Sequence, residues 1–135
     1  MRIGVVLVTH TGLAAEFLRA VDLIVPDAPK FYAVAIDPAQ GVDAMRATIE
    51  AALTAAENGG GVLVLTDMFG GTPSNISLSF LENREVEVVT GVNLPMLIKL
   101  VEVRGEAKLA DAVKAARDAG QSYIRIASEV MDKTA

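Results

Sequence analysis

The stretch VLVLTDMFGGTPSN, Val62 to Asn75, runs from unbroken apolar residues through a carboxylate and two glycines into a helix start. Val62–Thr66 has the continuous apolar character of a strand covered on both faces. Asp67 stands just past its end. Gly70 and Gly71 punctuate the chain, and Thr72-Pro73 reads as an N-cap followed by a first helical residue. Ile76 and Phe80, four apart, mark a short helix behind it. A two-faced strand leading directly into a helix is the unit of a parallel α/β sheet.

The same unit recurs along the chain. IGVVLV (Ile3–Val8) is a continuous β-branched run, followed by THTG and a helix with Leu13, Phe17 and Val21 on one face, which Pro26 and Pro29 end. FYAVAI (Phe31–Ile36) is a second strand. After the DPAQG loop, Val42, Met45, Ile49, Leu53 and Ala56 keep a helical period until NGGG (Asn58–Gly61) stops it. VEVVTGV (Val86–Val92) is the fourth strand. Two more helices follow, one opening near Pro95 and one through Leu109, Val113 and Ala116, with Gly120 as its expected stop. YIRIAS (Tyr123–Ser128) alternates polar and apolar, as a strand with one less-buried face does. The expectation is one domain, residues 1–135: a three-layer α/β sandwich whose mainly parallel sheet has the order 2-1-3-4. The last strand is expected to run antiparallel, or to pair with another subunit.

Composition narrows the function. Hydrophobic residues make up 52% of the 135, enough for a core, and the net charge is −5. No basic stripe suggests nucleic acid. With no cysteine, disulfides, thiolate zinc sites and cysteine catalysis are excluded, and a single histidine makes a transition-metal site poor. No apolar run approaches the ~18 residues of a membrane span. The apolar N-terminal run is shorter than the ~7–15-residue core of a signal peptide. A cytoplasmic protein is expected, with no metal and no cofactor.

In open α/β sheets, ligands bind beyond the carboxyl ends of the strands. The first and third strand ends carry the chemistry here. The first offers Thr9, His10 and Thr11; the third offers Asp67 and then Gly70, Gly71, Thr72, Ser74 and Asn75. Adjacent strands lie ~5 Å apart, so in the order 2-1-3-4 His10 and Asp67 can meet. A carboxylate that accepts from Nδ1 fixes the imidazole tautomer and leaves the Nε2 lone pair free to act as base or nucleophile. The bland alternative is a histidine hydrogen-bonded in a turn. The GGTPSN loop suits a phosphoryl group: glycines allow close approach, and the amides of Ser74 and Asn75 are expected as free donors at the helix start. Its bland alternative is an ordinary glycine turn into a capped helix. The hydroxyls of Thr9, Thr11 and Ser74 either add donors or merely cap.

Other chemistries fit less well. A receiver-type aspartate needs Mg²⁺ held by acidic residues after the first strand, where this chain reads THTG. Only 4% of residues are aromatic, with no Trp, against a flavodoxin. No Walker loop, GxGxxG fingerprint or G-x-S-x-G elbow is present, although Ser74 near His10 and Asp67 leaves a hydrolase conceivable.

Taken together, VLVTHTGLAAEF (Val6–Phe17), VLVLTDMFGGTPSN and VVTGVNLPML (Val88–Leu97) resemble the IIA component of the mannose-family sugar phosphotransferase system, in order and spacing over nearly the whole chain. The resemblance implies a homodimer with the C-terminal strand exchanged between subunits. It implies phosphorylation of His10, pairing of Asp67 with it, and a phosphoryl group surrounded by the Gly70–Asn75 loop. It further implies phospho-HPr as donor and a IIB component as acceptor, the membrane entering only through IIC and IID components. Family members are often fused to IIB through an Ala/Pro-rich linker; this sequence ends at SEVMDKTA without one. A stand-alone IIA protein is therefore expected, serving transport or regulation. The phosphoryl-donor subunit of dihydroxyacetone kinase is a related alternative.

Overall fold

The computed structural model describes residues 2–68, 70–82 and 85–131. In chain order the elements are β1 (Gly4–His10), α1 (Leu13–Ile24), β2 (Tyr32–Ile36), α2 (Val42–Ala56), β3 (Val62–Thr66), α3 (Thr72–Leu78), β4 (Val86–Thr90), α4 (Leu94–Val103), α5 (Leu109–Ser122) and α6 (Ala127–Met131). A short 3₁₀ turn at Pro38–Gln40 is capped by the Asp37 carboxylate, which accepts from the Ala39 amide. The four strands form one parallel sheet in the order β2-β1-β3-β4.

Successive strand side chains point to opposite faces, and the apolar runs use both. Val5, Leu7, Leu63 and Leu65 pack beneath α1, α4 and α5, with Ala14, Val21, Leu97, Leu100 and Ala112. Val6, Val8, Val62 and Val64 pack on the other side against Met45, Ile49 and Leu53 of α2 and Ile76 of α3. That is why β1 and β3 show no polar alternation until their last residues. Two helices cover one face and three the other.

Several expectations are corrected. β1 runs on past Val8, so His10 is its last residue and pairs in register with Ile36. In α1, Leu13 is exposed and Ala14 buried. The cause is Thr9, whose Oγ1 accepts the Ala14 amide at 2.8 Å and turns that small residue onto β1. β4 stops at Thr90, because the amides of Gly91 and Val92 both turn back to the Thr66 carbonyl. Gly120 does not stop α5. It lies buried within the helix, and a Cβ there would sit 2.6 Å from Met96 Cγ. The glycine sets how closely α5 approaches α4, and Asn93 ties the two together. Its Oδ1 caps α4 by accepting the Met96 amide, and its Nδ2 donates to the Gly120 carbonyl.

The fifth strand expected of Tyr123–Ser128 is not formed. Tyr123 closes α5, the Ile124 amide donates to Gln121, and α6 begins at Ala127. The alternation does describe a segment with an apolar side, since Tyr123, Ile124 and Ile126 carry large exposed apolar surfaces. A strand, however, exists only by hydrogen bonding to a sheet edge, and this segment pairs with neither edge of its own sheet.

The tightest backbone approach is at the start of β1. A Cβ on Gly4 would fall 2.3 Å from the Ala56 carbonyl oxygen and 2.9 Å from Ala56 Cβ, with no flexible side chain to yield. Gly4→Ala is expected to push the end of α2 off the sheet and to destabilise by at least about 1–3 kcal/mol, the usual cost of overpacking. Urea unfolding checks this; an unchanged midpoint would show that the contact gives way freely.

Candidate functional site

His10 and Asp67 reach each other because β1 and β3 are parallel neighbours with Val8 level with Thr66. The histidine is two residues beyond that level and the aspartate one. Asp67 Oδ2 lies 2.8 Å from His10 Nδ1 and also accepts the His10 backbone amide at 3.0 Å. Oδ1 accepts the Met68 amide at 3.0 Å. The base of this arrangement is fixed by the Thr66 carbonyl, which takes two amides from the turn after β4.

The two side chains differ in exposure: 42% for His10 and 13% for Asp67. Burial is the largest single influence on the Asp67 carboxyl and opposes ionisation. The hydrogen bonds from the His10 amide and ring, with the charge on that ring, outweigh it and hold the carboxyl below its ordinary 3.8. An ionised carboxylate only accepts, so the proton of the contact sits on Nδ1. In the neutral imidazole, Nε2 is then the nitrogen that carries the lone pair.

The glycine loop closes over the ring. A Cβ on Gly71 would stand 3.0 Å from His10 Cε1 and 3.5 Å from Nε2. Gly71 has φ −80° and ψ 171°, ordinary extended backbone, so its need for glycine is steric. Gly70 is in the left-handed region at φ 86°, where glycine alone is unstrained. The helix begins one residue earlier than expected: Gly71 is the cap position, without a side-chain bond, and Thr72-Pro73 forms the first turn.

The remaining candidates divide. Thr11 is exposed beside His10, held at φ 48° with its amide donating to Ile36. Thr72 and Asn75 are exposed on α3, and Asn75 Nδ2 donates to the Gly70 carbonyl at 3.3 Å. The Asn75 amide, expected free, donates to the Gly71 carbonyl instead. Thr9 is fully buried and caps α1. Ser74 is also fully buried, its Oγ without a hydrogen-bond partner, so it presents no nucleophile to solvent. The sequence reading did not find the bond from the His10 amide to Asp67; no residue type signals a main-chain donor. A cleft of about 650 Å³ lies elsewhere, between α4 and α5. Among the described residues, no cluster of histidines and carboxylates could hold a metal ion.

Residues 4–117 match the EIIA-man family, described as the PTS system fructose IIA component. The chain therefore belongs to the IIA components of the sugar phosphotransferase system, its phosphoryl carriers in sugar uptake. It is 32% identical over 97 residues to the sorbose-specific EIIA component of Lacticaseibacillus casei, covering 71% of this chain and 70% of that protein. It is 27% identical over 107 residues to the mannose-specific EIIAB component of Escherichia coli (strain K12), covering 78% of this chain and 33% of that longer protein. Among solved structures, it is similar to the mannose/sorbose-specific IIA subunit of Enterococcus faecalis. The TM-score is 0.84 at 28% identity, with 93% of this chain and 95% of that one covered.

The ion pair has a pH signature. A carboxyl held below its unfolded value adds stability above about pH 4, and that stability is lost as pH falls through the depressed native value. His10→Ala removes the ring's hydrogen bond and charge, while the backbone amides of residues 10 and 68 still lower the carboxyl and burial still raises it. Carboxyl-carbon NMR is expected to put the Asp67 midpoint below 3.8 in the native chain, and higher than the native midpoint in His10→Ala. Equal midpoints would show that the histidine does not hold the carboxylate.

Proposed function

We propose that His10 Nε2 is the phosphoryl acceptor, taking the group from phospho-HPr and passing it to a IIB component for sugar uptake. The observation that carries this reading is the Nδ1–Asp67 contact of 2.8 Å on a ring left 42% exposed. The ring is locked in one tautomer, yet open to a donor as large as another protein.

In the step, the Nε2 lone pair attacks phosphorus and forms the N–P bond. The bond from phosphorus to the donor breaks, the donor keeping its electron pair. The ring becomes cationic through N-phosphorylation while Nδ1–H stays on Asp67, whose carboxylate balances that charge without taking the proton. Such transfers need positioning and charge stabilisation above all. Gly71, beside Cε1 and Nε2, would bound the phosphoryl group together with Gly70, and the exposed Thr11, Thr72 and Asn75 would add polar groups. Thr9 and Ser74 serve it from beneath, as cap and packing residues. The IIB acceptor is supported by likeness to a protein named as an EIIAB component. Exposed Leu13 and Met68, close in sequence to His10 and Asp67, give docking proteins apolar surface. No helix among the described residues is long and apolar enough to cross a membrane; we place the protein in the cytoplasm, with membrane contact only through IIC and IID components. The exposed apolar segment at Tyr123–Ile126 supports a homodimer.

Incubation with HPr, its kinase and phosphoenolpyruvate is expected to give an acid-labile, alkali-stable phosphoprotein. His10→Ala should abolish labelling. Asp67→Ala should slow it by roughly 10²-fold with little loss of fold, the scale expected when a proton-holding partner is removed. Gly71→Ala should slow it comparably by displacing the ring, since misplacement near 1 Å costs about 10²-fold. Full labelling of His10→Ala would overturn the proposal.

A further inference from the structure

The end of the sheet opposite His10 holds a second concentration of charge. β1 rises about 3.3 Å per residue, so Gly4 and His10 stand roughly 20 Å apart. Beside Gly4 opens a pocket of about 240 Å³ whose charged wall is Arg2, Lys30, Arg104 and Glu57. Three cations meet one carboxylate in a chain whose net charge is −5. The carboxylate is already engaged: Glu57 Oε1 accepts the amides of Gly59 and Gly61.

Arg104 is the unusual member. It is 3% exposed, its Nε donates to the Ile3 carbonyl at 3.1 Å, and its guanidinium stacks 4.7 Å over the Phe31 ring. Nη1 is buried without a hydrogen-bond partner. Burial and the nearby Arg2 charge pull its pKa down to about 10, so the group is still cationic at neutral pH. A buried guanidinium with an unmet donor is costly, and such groups are normally paired. Among the described residues, neither Arg104, Arg2 nor Lys30 forms an ion pair. Lys30 Nζ rests 4.7 Å over the Tyr32 ring, on the pocket's rim.

We propose that this pocket binds a small phosphate-class oxyanion, either the free ion or the phosphate group of a metabolite. The unpartnered Nη1 of the Arg104 guanidinium, with two further cations on the same wall, matches a dianion in charge. The volume exceeds one phosphate ion, and Ala55 and Ala56 give an organic body an apolar wall.

The test follows the Arg104 Nε–H resonance by NMR during titration with inorganic phosphate, with a hexose 6-phosphate, and with chloride at matched ionic strength. A saturating shift with either phosphate at millimolar concentration, absent with chloride, is expected. Saturation by the ion alone identifies phosphate itself as the ligand; tighter saturation by the ester identifies a phosphorylated metabolite. Lys30→Glu and Arg2→Ala, both at exposed positions, should each weaken binding by about tenfold or more, ~1.4 kcal/mol, with the amide spectrum otherwise unchanged. No saturating shift, an equal response to chloride, or unaltered affinity in both variants would overturn the proposal. The readout does not involve His10, so its outcome is independent of the phosphoryl-transfer reading.

Discussion

The hydrogen bond between His10 Nδ1 and Asp67 joins two strand ends that are 57 residues apart in the chain. It depends on β1 and β3 being parallel neighbours in one register. Slipping that register by one residue would turn every side chain of a strand to the opposite face. Here the penalty is large, because both faces of β1 and β3 are buried. The apolar packing of Val5 through Val8 against Leu63 through Leu65 thus fixes where a polar pair stands at the sheet's end. The core supplies the precision, and the site draws on it without contributing much to it.

Around that pair, small residues act by what they leave out. Gly71 lets the loop come against the imidazole edge. The carboxylate, ionised and accepting from three amide and ring donors, has no proton to give. Its effect on the histidine is orientation and charge, and the ring stays partly open to solvent. Beneath, Thr9 and the Thr66 carbonyl bind the ends of α1 and β4 to the strand ends. The end of β1 that carries His10, and Asp67 just past β3, are therefore held from both sides.

Much of this was legible in the sequence. Continuous apolar runs marked β1 and β3, and the polar residues at their ends marked the candidate site. Helical spacing found α2 through Met45, Ile49 and Leu53, all buried as the period requires. The failures have physical causes. Leu13 looked like a core residue by spacing, but the Thr9 cap rotates the first turn so that Ala14 faces inward. Gly120 looked like a stop, but it serves helix packing; sequence alone does not separate the two uses. Tyr123–Ser128 has strand composition, yet pairing needs an edge that its own chain does not offer it. Thr9 and Ser74 carried hydroxyls at suggestive positions, and burial rather than residue type decided their roles. Arg104 stood out in no pattern, since its isolation arises only when β1, β2 and the end of α4 come together.

The central claim is that Asp67 holds the Nδ1 proton so that Nε2 takes the phosphoryl group. The most direct measurement is nitrogen-15 and phosphorus-31 NMR of the phosphorylated chain with labelled histidine. The single imidazole should show phosphorus coupled to Nε2, with Nδ1 still protonated and hydrogen-bonded to Asp67. Phosphorus coupled to Nδ1, or carried on any other residue, would contradict the account.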